Sequence, residues 1–234
     1  MKEMGLGLGK RGGEDDRDSI GFSSRKKAGY YLGERLQAET VGKDAVVLGI
    51  PRGGVIIAQK VASVLKIPFS VIVTKKLAAP SDPELAIGAV GNSRNSLFLN
   101  KDLVKSLGLD ERDIEVEMRL KIAEIKRRRH EFLLGKEVDL LGKEVVIVDD
   151  GIATGATMIA AVRQARNDGA KKVIVATPVI SRGALERLQK EADRVIYLKA
   201  PEIFFSVSQF YENFPQVADE EVKKILRYNK ESKK

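Results

Sequence analysis

Five short apolar runs, separated by segments of helical periodicity, constrain the fold of this 234-residue chain more than any other feature. They predict buried strands over Ala45–Ile50, Phe69–Val73, Val145–Val148, Lys172–Ala176 and Arg194–Leu198. Helices are predicted over Arg25–Ala38, Val55–Leu65, Asp110–Leu134, Thr154–Asn167, Gly183–Lys190 and Asp219–Arg227. Strands that alternate with helices predict an α/β fold with a central parallel sheet flanked by helices. Ligands of such sheets bind at the carboxyl ends of the strands.

The composition of the ends sets the expected boundaries of this fold. Residues 1–21 are rich in glycine and charge and are predicted to form a flexible leader, and residues 228–234 a charged tail. Residues 22–227 are predicted to form one domain. Within it, about residues 77–100 form an excursion with several prolines and glycines, which fits either a surface β-hairpin that includes Leu85–Val90 and Ser96–Leu99 or a mobile lid.

Charge and composition exclude some functions and weigh against others. The net charge is +8, but the basic residues gather near the chain ends and in Lys126–Arg129, without interleaved aromatic residues. This pattern favours a solvated surface over a nucleic-acid partner, which it does not exclude. The absence of cysteine excludes disulfides and a thiolate nucleophile. Without an apolar stretch of membrane or signal-peptide length, a cytoplasmic protein with no membrane partner is expected.

The segment from Glu144 to Met158 carries most of the chemical information. It begins as an apolar strand, continues with the adjacent carboxylates Asp149 and Asp150, and enters a loop of small and hydroxyl residues before the next helix. Charges at the end of a buried strand need a partner or a ligand. Glycines let successive N–H groups point inward, and a helix start adds free donors. The segment predicts a sugar-phosphate site; the alternative is an ordinary strand–helix turn capped by threonine.

In such a site the loop holds the phosphate, and the two carboxylates accept hydrogen bonds from ribose hydroxyls. The loop lacks the glycine-lysine-threonine ending of a P-loop. It also differs from the dinucleotide-binding fingerprint, which has no acidic pair after its strand. The loop residues concerned are Gly151, Ile152, Ala153, Thr154, Gly155, Ala156 and Thr157.

Val145–Met158 resembles the motif with which type I phosphoribosyltransferases bind 5-phosphoribosyl-1-pyrophosphate (PRPP). The resemblance extends from about Phe22 to Arg227, and Leu48–Val55, Glu84–Val90 and Phe210–Phe214 are similar to a subfamily whose acceptor substrate is not settled. It implies the type I phosphoribosyltransferase fold, with a flexible lid loop and a small hood. It also implies that Asp149 and Asp150 contact the ribose and that Gly151–Thr157 grip the 5-phosphate.

The same resemblance assigns two further segments to pyrophosphate. Arg52, Gly53 and Gly54 follow the first strand of the sheet, where glycines admit phosphate oxygens and an arginine adds a charged fork. Lys75 and Lys76 are expected to end the second strand, where the family commonly has an arginine-lysine pair. Lysine at the first position replaces the fork by a point charge. The alternatives are a helix-start turn and an exposed lysine pair.

The activity implied is transfer of the 5-phosphoribosyl group from PRPP to a nitrogen acceptor, with a nucleobase favoured, and release of pyrophosphate. The residues expected to act in catalysis are Asp149, Asp150 and Arg52. Mg²⁺ is the expected cofactor, held mainly through PRPP and not by protein ligands. Ala153 stands where oxopurine-type members of the family carry an aspartate, so any general base must come from elsewhere.

Other functions remain open at this stage. A PRPP-binding regulator without turnover, in contact with nucleic acid, is one alternative; a PRPP synthetase-like protein or sugar-phosphate hydrolase is another, disfavoured because no ATP-binding signature is apparent. The intact Arg52–Gly54 segment favours an enzyme. A homodimer is the expected assembly. Five aromatic residues fit a hood over an acceptor base, core packing or a dimer surface: Phe204, Phe205, Phe210, Tyr211 and Phe214.

Overall fold

The computed structural model describes residues 21–39, 41–133 and 137–231. The strands are β1 (Phe22–Ser24), β2 (Val46–Gly49), β3 (Phe69–Val71), β4 (Lys75–Ala79), β5 (Asp82–Val90), β6 (Phe98–Leu99), β7 (Glu144–Val148), β8 (Lys172–Val179), β9 (Arg194–Lys199) and β10 (Tyr211–Asn213). The helices are α1 (Arg25–Ala38), α2 (Gly53–Leu65), α3 (Lys101–Ser106), α4 (Glu111–Leu133), α5 (Ala156–Asn167), α6 (Arg182–Leu188) and α7 (Asp219–Glu231).

A five-stranded parallel sheet in the order β3-β2-β7-β8-β9 forms the centre of the fold. Its inner strands are buried on both faces, which explains their continuous apolar sequences. Alternate side chains supply two cores. Val47 and Val146 pack with α1, α2 and α4, whereas Val46 and Ile147 pack with α5 and α6. The predicted central parallel sheet flanked by helices is confirmed.

The excursion after β3 is more ordered than the sequence analysis predicted. Lys75 and Lys76 do not end the second strand; they open β4, which pairs antiparallel with β5. β5 also pairs antiparallel with β6. The two segments of the expected hairpin therefore form two of the three strands of a sheet in the order β4-β5-β6. Leu77 and Ala79 alternate inward as buried residues, a period-two pattern that the adjacent Lys75 and Lys76 and the nearby prolines obscured. The short helix α3 was not predicted.

The first and last strands of the described chain pair with each other. β1 pairs in parallel with β10, with Phe22 opposite Tyr211. The predicted final helix continues beyond Arg227 to Glu231. Residues 1–20 of the predicted leader lie outside the described residues, as do residues 232–234 of the predicted tail.

Within the described ranges, we find no helix with the length and apolar character that crossing a bilayer requires.

Candidate active site

The ends of two neighbouring strands bring the predicted acidic pair and the predicted pyrophosphate loop together. β2 lies beside β7, with Gly49 opposite Val148, and the Ile50 N–H donates to the Val148 carbonyl at 3.0 Å. The chain following β2 therefore runs against the chain following β7. A Cβ atom at Gly53 would lie 1.9 Å from Asp150 Oδ2, which only a residue without a side chain avoids.

The segment Pro51–Gly54 turns directly from β2 into α2. The peptide bond between Pro51 and Arg52 is cis, an unusual backbone feature at the position expected for the pyrophosphate loop. The side chain of Arg52 is exposed, whereas Gly54 is buried beneath it. The turn therefore presents a cation and a glycine backbone at the carboxyl edge of the sheet.

Asp150 is held from two sides, by Arg25, which the sequence did not single out for the site, and by Tyr211, which it indicated only as one of five aromatic residues that fit a hood. Arg25 Nε donates to Asp150 Oδ2 at 2.6 Å, across 125 positions of sequence. The hydroxyl of Tyr211 donates to the Asp150 backbone carbonyl, also at 2.6 Å. The side chains of the ion pair are only 8% and 15% exposed. One oxygen of this carboxylate is thus oriented by the protein itself.

Arg25 reaches the site because the hood segment after β10 packs over it. Its guanidinium lies 3.6 Å from the centre of the Phe214 ring and donates through Nη1 to the Pro215 carbonyl at 2.7 Å. Desolvated cation–ring contacts of this type stabilise a buried arginine. Of the five hood aromatics, Phe210 and Tyr211 are buried and Phe214 half-buried, so the packing interpretation holds for these. Phe205 is 87% exposed.

The two carboxylates differ in their environment. Burial raises the pKa of Asp149 well above its ordinary value, and the neighbouring charge of Asp150 raises it further. The Asp149 Oδ1 atom accepts a hydrogen bond from the Asp150 N–H at 2.9 Å. Burial likewise raises the pKa of the Tyr211 hydroxyl, with the Asp150 charge as a second cause. Tyr211 therefore stays a neutral donor, and the two half-buried carboxylates form an acidic centre at the end of β7.

The loop from Gly151 to Gly155 leads into the N-terminus of α5. The helix begins at Ala156, two residues later than predicted, because Gly155 adopts φ +79° and occupies the position before the first helical turn. Ala153 and Thr154 are exposed, and Thr157 is partly so. The structure thus places the predicted phosphate loop at the start of a 12-residue helix, whose first N–H groups attract anions.

The two lysines of the excursion are directed apart. Lys75 Nζ donates to Glu124 of α4 at 2.5 Å, and that contact, more than any other, lowers the pKa of Glu124. Lys76 is exposed and lines a cavity of about 370 Å³, together with Thr154 and Ala156 of the phosphate loop. Successive strand residues face opposite sides. Lys76 is therefore gathered with the phosphate loop, and a joint role of both lysines at one pyrophosphate stays a prediction.

Two larger cavities in the described part of the chain lie elsewhere. They measure about 620 Å³ and 500 Å³ and follow the N-terminal half of α4 around Arg112 and Val116. Neither is lined by the acidic pair, the phosphate loop or Arg52. Choosing the site by cavity volume alone would therefore place it at α4, whereas the predicted site residues lie together at the carboxyl ends of β2 and β7.

One signal in the sequence could have pointed to Arg25. Arg25, Lys26 and Lys27 form the first turn of α1, which has no acidic residue there. Cations at a helix N-terminus meet the positive end of the helix dipole, so such a run is unfavourable without another partner. The partner of Arg25 is Asp150. No local pattern marks Tyr211 as a donor to the same residue.

The fold and the acidic pair at the end of β7 define a protein of the type I phosphoribosyltransferase class. The chain belongs to the family described as phosphoribosyl transferase domain, which it matches over residues 26–214. Two relatives from Mycobacterium tuberculosis strains, one of them named "Putative phosphoribosyl transferase Rv0571c", are 44% identical over 206 residues. The match covers 88% of this chain and 46% of theirs, so the chain spans about half the length of these curated relatives.

Two further similarities extend the comparison. The crystal structure of TT1426 from Thermus thermophilus has a TM-score of 0.74 and 36% identity, and the match covers 88% of this chain and 97% of that one. A ribose-phosphate pyrophosphokinase from Pyrococcus furiosus is 33% identical over 129 residues, which are 54% of this chain and 44% of the relative. The shared fold is thus accompanied by shared sequence.

Proposed function

We propose that the chain transfers the 5-phosphoribosyl group of PRPP to a nitrogen acceptor, favouring a nucleobase, and releases pyrophosphate. The observation that carries this proposal is the convergence of three elements at the ends of β2 and β7. These are the acidic pair Asp149 and Asp150, the phosphate loop before α5, and the Arg52–Gly54 turn. Family membership supports the same reaction class.

Each element has one task in this proposal. The loop N–H groups and the α5 N-terminus bind the 5-phosphate. Asp149 and the outward oxygen of Asp150 accept hydrogen bonds from the ribose hydroxyls, and their charge stabilises a sugar cation that develops at C1. Arg52 binds the departing pyrophosphate. The bond from C1 to pyrophosphate breaks while the acceptor nitrogen approaches C1 from the opposite face. The residues accelerate this step by positioning the reactants and by stabilising charge.

Mg²⁺ fits this arrangement as an ion that is held mainly by PRPP. It prefers oxygen ligands and retains several waters, and Asp149 and Asp150 supply hard oxygens beside the proposed ribose position. Arg25 already takes one oxygen of Asp150. Asp149 and the other oxygen of Asp150 would therefore contact the ion through water, while PRPP supplies its direct ligands. When bound, the ion neutralises charge on the pyrophosphate.

The test is pyrophosphate release from PRPP and Mg²⁺ with pooled nucleobases and small amines, and with water alone as the control. Release that requires one pool supports the transferase and identifies the acceptor by deconvolution. Tight PRPP binding without release from any pool contradicts it and favours the regulator. In the same assay, Arg52→Ala is expected to lower turnover about a hundredfold while ribose 5-phosphate affinity stays within about threefold. Equal losses in both would contradict the pyrophosphate role of Arg52.

A further inference from the structure

The outer edge of the phosphate loop is fixed by a segment that does not contain any of the predicted site residues. Three consecutive carbonyls of the loop accept hydrogen bonds from Ser181, which precedes α6, and from Arg187 within α6. The Ser181 N–H donates to the Ile152 carbonyl at 2.9 Å, and the Ser181 hydroxyl donates to the Ala153 carbonyl. The Arg187 guanidinium donates through Nη2 to the Thr154 carbonyl at 2.9 Å.

The geometry of the peptide bond turns this contact into an orientation of donors. In a trans peptide the carbonyl and the following N–H point in opposite directions. The peptides after Ile152, Ala153 and Thr154 are trans, since the one cis bond in the described residues lies between Pro51 and Arg52. Holding their carbonyls toward α6 therefore directs the N–H groups of Ala153, Thr154 and Gly155 away from α6.

Those three N–H groups are available to a ligand. Within the described ranges, no internal acceptor receives them. They precede the α5 N-terminus directly, so the row of donors continues into the first turn of the helix. Successive N–H groups of this kind form an anion-binding concavity.

The N-terminal part of α6 also lies close to the loop. A Cβ atom at Gly155 would lie 3.3 Å from the Ala184 Cβ atom, so α6 packs directly against the turn into α5. The Ser181 hydroxyl also accepts from the Ala184 N–H at 3.1 Å and thereby caps α6. One hydroxyl thus fixes both the start of α6 and the Ala153 carbonyl.

We infer that Ser181 and Arg187 are positioning residues for the 5-phosphate of the ribosyl substrate. They act by holding the loop carbonyls outward, so that the loop N–H groups are preorganised for a phosphate monoester. This inference rests on the proposed function, since it concerns the same site. It adds that selectivity for a 5-phosphorylated ribose depends on α6, whose Arg187 also lines the cavity beside Thr154 and Ala156.

The primary experiment compares three ligands by isothermal titration calorimetry: PRPP, ribose 5-phosphate and pyrophosphate. Arg187→Met and Ser181→Ala are each expected to weaken PRPP and ribose 5-phosphate about tenfold, while pyrophosphate affinity stays within about twofold. In steady-state assays the KM for PRPP rises about tenfold and kcat stays within about threefold, because the 5-phosphate contacts are equal in ground state and transition state.

Matched variants separate positioning from a general loss of structure. Arg182→Met removes another arginine of α6, which pairs with Glu202 and does not contact the loop. Asp110→Ala removes another helix cap, which accepts from the Arg112 and Asp113 N–H groups at the start of α4. Neither is expected to change ribose 5-phosphate affinity. Arg187→Lys and Ser181→Thr keep a donor and are expected to restore most of it.

The outcomes divide cleanly between this inference and the function on which it rests. Wild-type protein that binds neither PRPP nor ribose 5-phosphate would overturn the proposed function. Wild-type binding with unchanged affinities in Arg187→Met and Ser181→Ala would overturn the positioning role alone. So would equal losses for ribose 5-phosphate and pyrophosphate. Should Ser181→Ala fail to fold, Arg187→Met decides, because Arg187 is an exposed side chain.

Discussion

The charged residues that follow β7 and those that follow β3 differ in how firmly the protein holds them. At β7 the charge is largely shielded from solvent, and Asp150 has fixed partners in Arg25 and Tyr211. At β3 the charge lies on a hairpin, where Lys76 is exposed and Lys75 is shared with α4. The ribose side of the proposed site is therefore preorganised, and the hairpin side is adjustable. Mutations on the ribose side are therefore expected to change stability and affinity more than mutations on the hairpin side.

The most severe expected break of the β7 side comes from Gly53→Ala. The added methyl would collide with Asp150 Oδ2 at 1.9 Å and approach Arg25 Nε at 2.9 Å, so the ion pair and the turn must separate. PRPP affinity, measured by calorimetry, is expected to fall about a hundredfold. The matched control is Gly42→Ala, where the added methyl would meet Glu144 Oε2 at an ordinary contact distance of 3.5 Å. An affinity within threefold of wild type would show that the two turns need not touch.

Removal of the arginine tests how far the buried charge depends on its partner. Arg25→Met leaves Asp150 buried beside Asp149, and the free energy of unfolding is expected to fall by about 3 kcal/mol. Urea denaturation at pH 7 measures it. Arg35→Met on the same helix breaks the pair with Glu39, in which Arg35 is 55% exposed, and should cost less than about 1 kcal/mol. Equal costs would mean that the Arg25 pair behaves as a surface contact.

The raised pKa of Asp149 predicts a stabilising substitution at the site itself. The native protein binds this proton more tightly than the unfolded chain, so wild type loses stability as pH rises from the ordinary pKa of an aspartate through the raised native pKa. Asp149→Asn should therefore raise the free energy of unfolding at pH 8 by about 1 kcal/mol, with a smaller gain at acidic pH.

Urea denaturation of ligand-free wild type and ligand-free Asp149→Asn across this pH range measures the difference in their free energies of unfolding. Asp44→Asn, at an exposed position, is the control and should leave the difference near zero. A destabilised Asp149→Asn protein at pH 8 would contradict the account of the buried pair.

The smallest effect is expected on the hairpin side, at Glu124. The hydrogen bond from Lys75 lowers the pKa of Glu124, so the pair contributes stability above the ordinary glutamate pKa, and this is lost as pH falls through the lowered native pKa. With side chains 25% and 33% exposed, Glu124→Gln should cost less than about 1 kcal/mol at pH 7. Glu117→Gln, which breaks the pair with Lys121, is the control on the same helix. A cost near that of Arg25→Met would remove the distinction between the two sides.

How much of this could be read from the sequence depends on the range of the interactions. The strands of the central sheet were predicted because valine and isoleucine runs such as Val145–Val148 carry their own signal. The phosphate loop was predicted because its residues are consecutive. β4 was missed because Lys75 and Lys76 hid the alternation of Leu77 and Ala79. Arg25 was missed as a site residue because its partner is 125 positions away in the sequence. Only the fold shows that the two side chains are in contact.

The carbonyls held by Ser181 and Arg187 illustrate the same limit within the site. The donors of the loop could be predicted from its residues but not what orients them, since hydrogen bonds from a side chain to a distant loop carbonyl leave no signature in the local sequence. Ser181 has the pattern of a helix cap, which it is. Its second hydrogen bond becomes visible only when the loop is in place.

The pairing of β1 with β10 has a consequence for the order in which the site is assembled during synthesis. A nascent chain that has emerged through β9 contains every strand of the central sheet, the phosphate loop and both aspartates. It still lacks Tyr211, Phe214 and Pro215, which hold Arg25 and the Asp150 backbone. Translation can therefore complete the strands of the scaffold before the acidic centre is locked, and a premature stop ahead of β10 would leave the proposed ribose site unassembled.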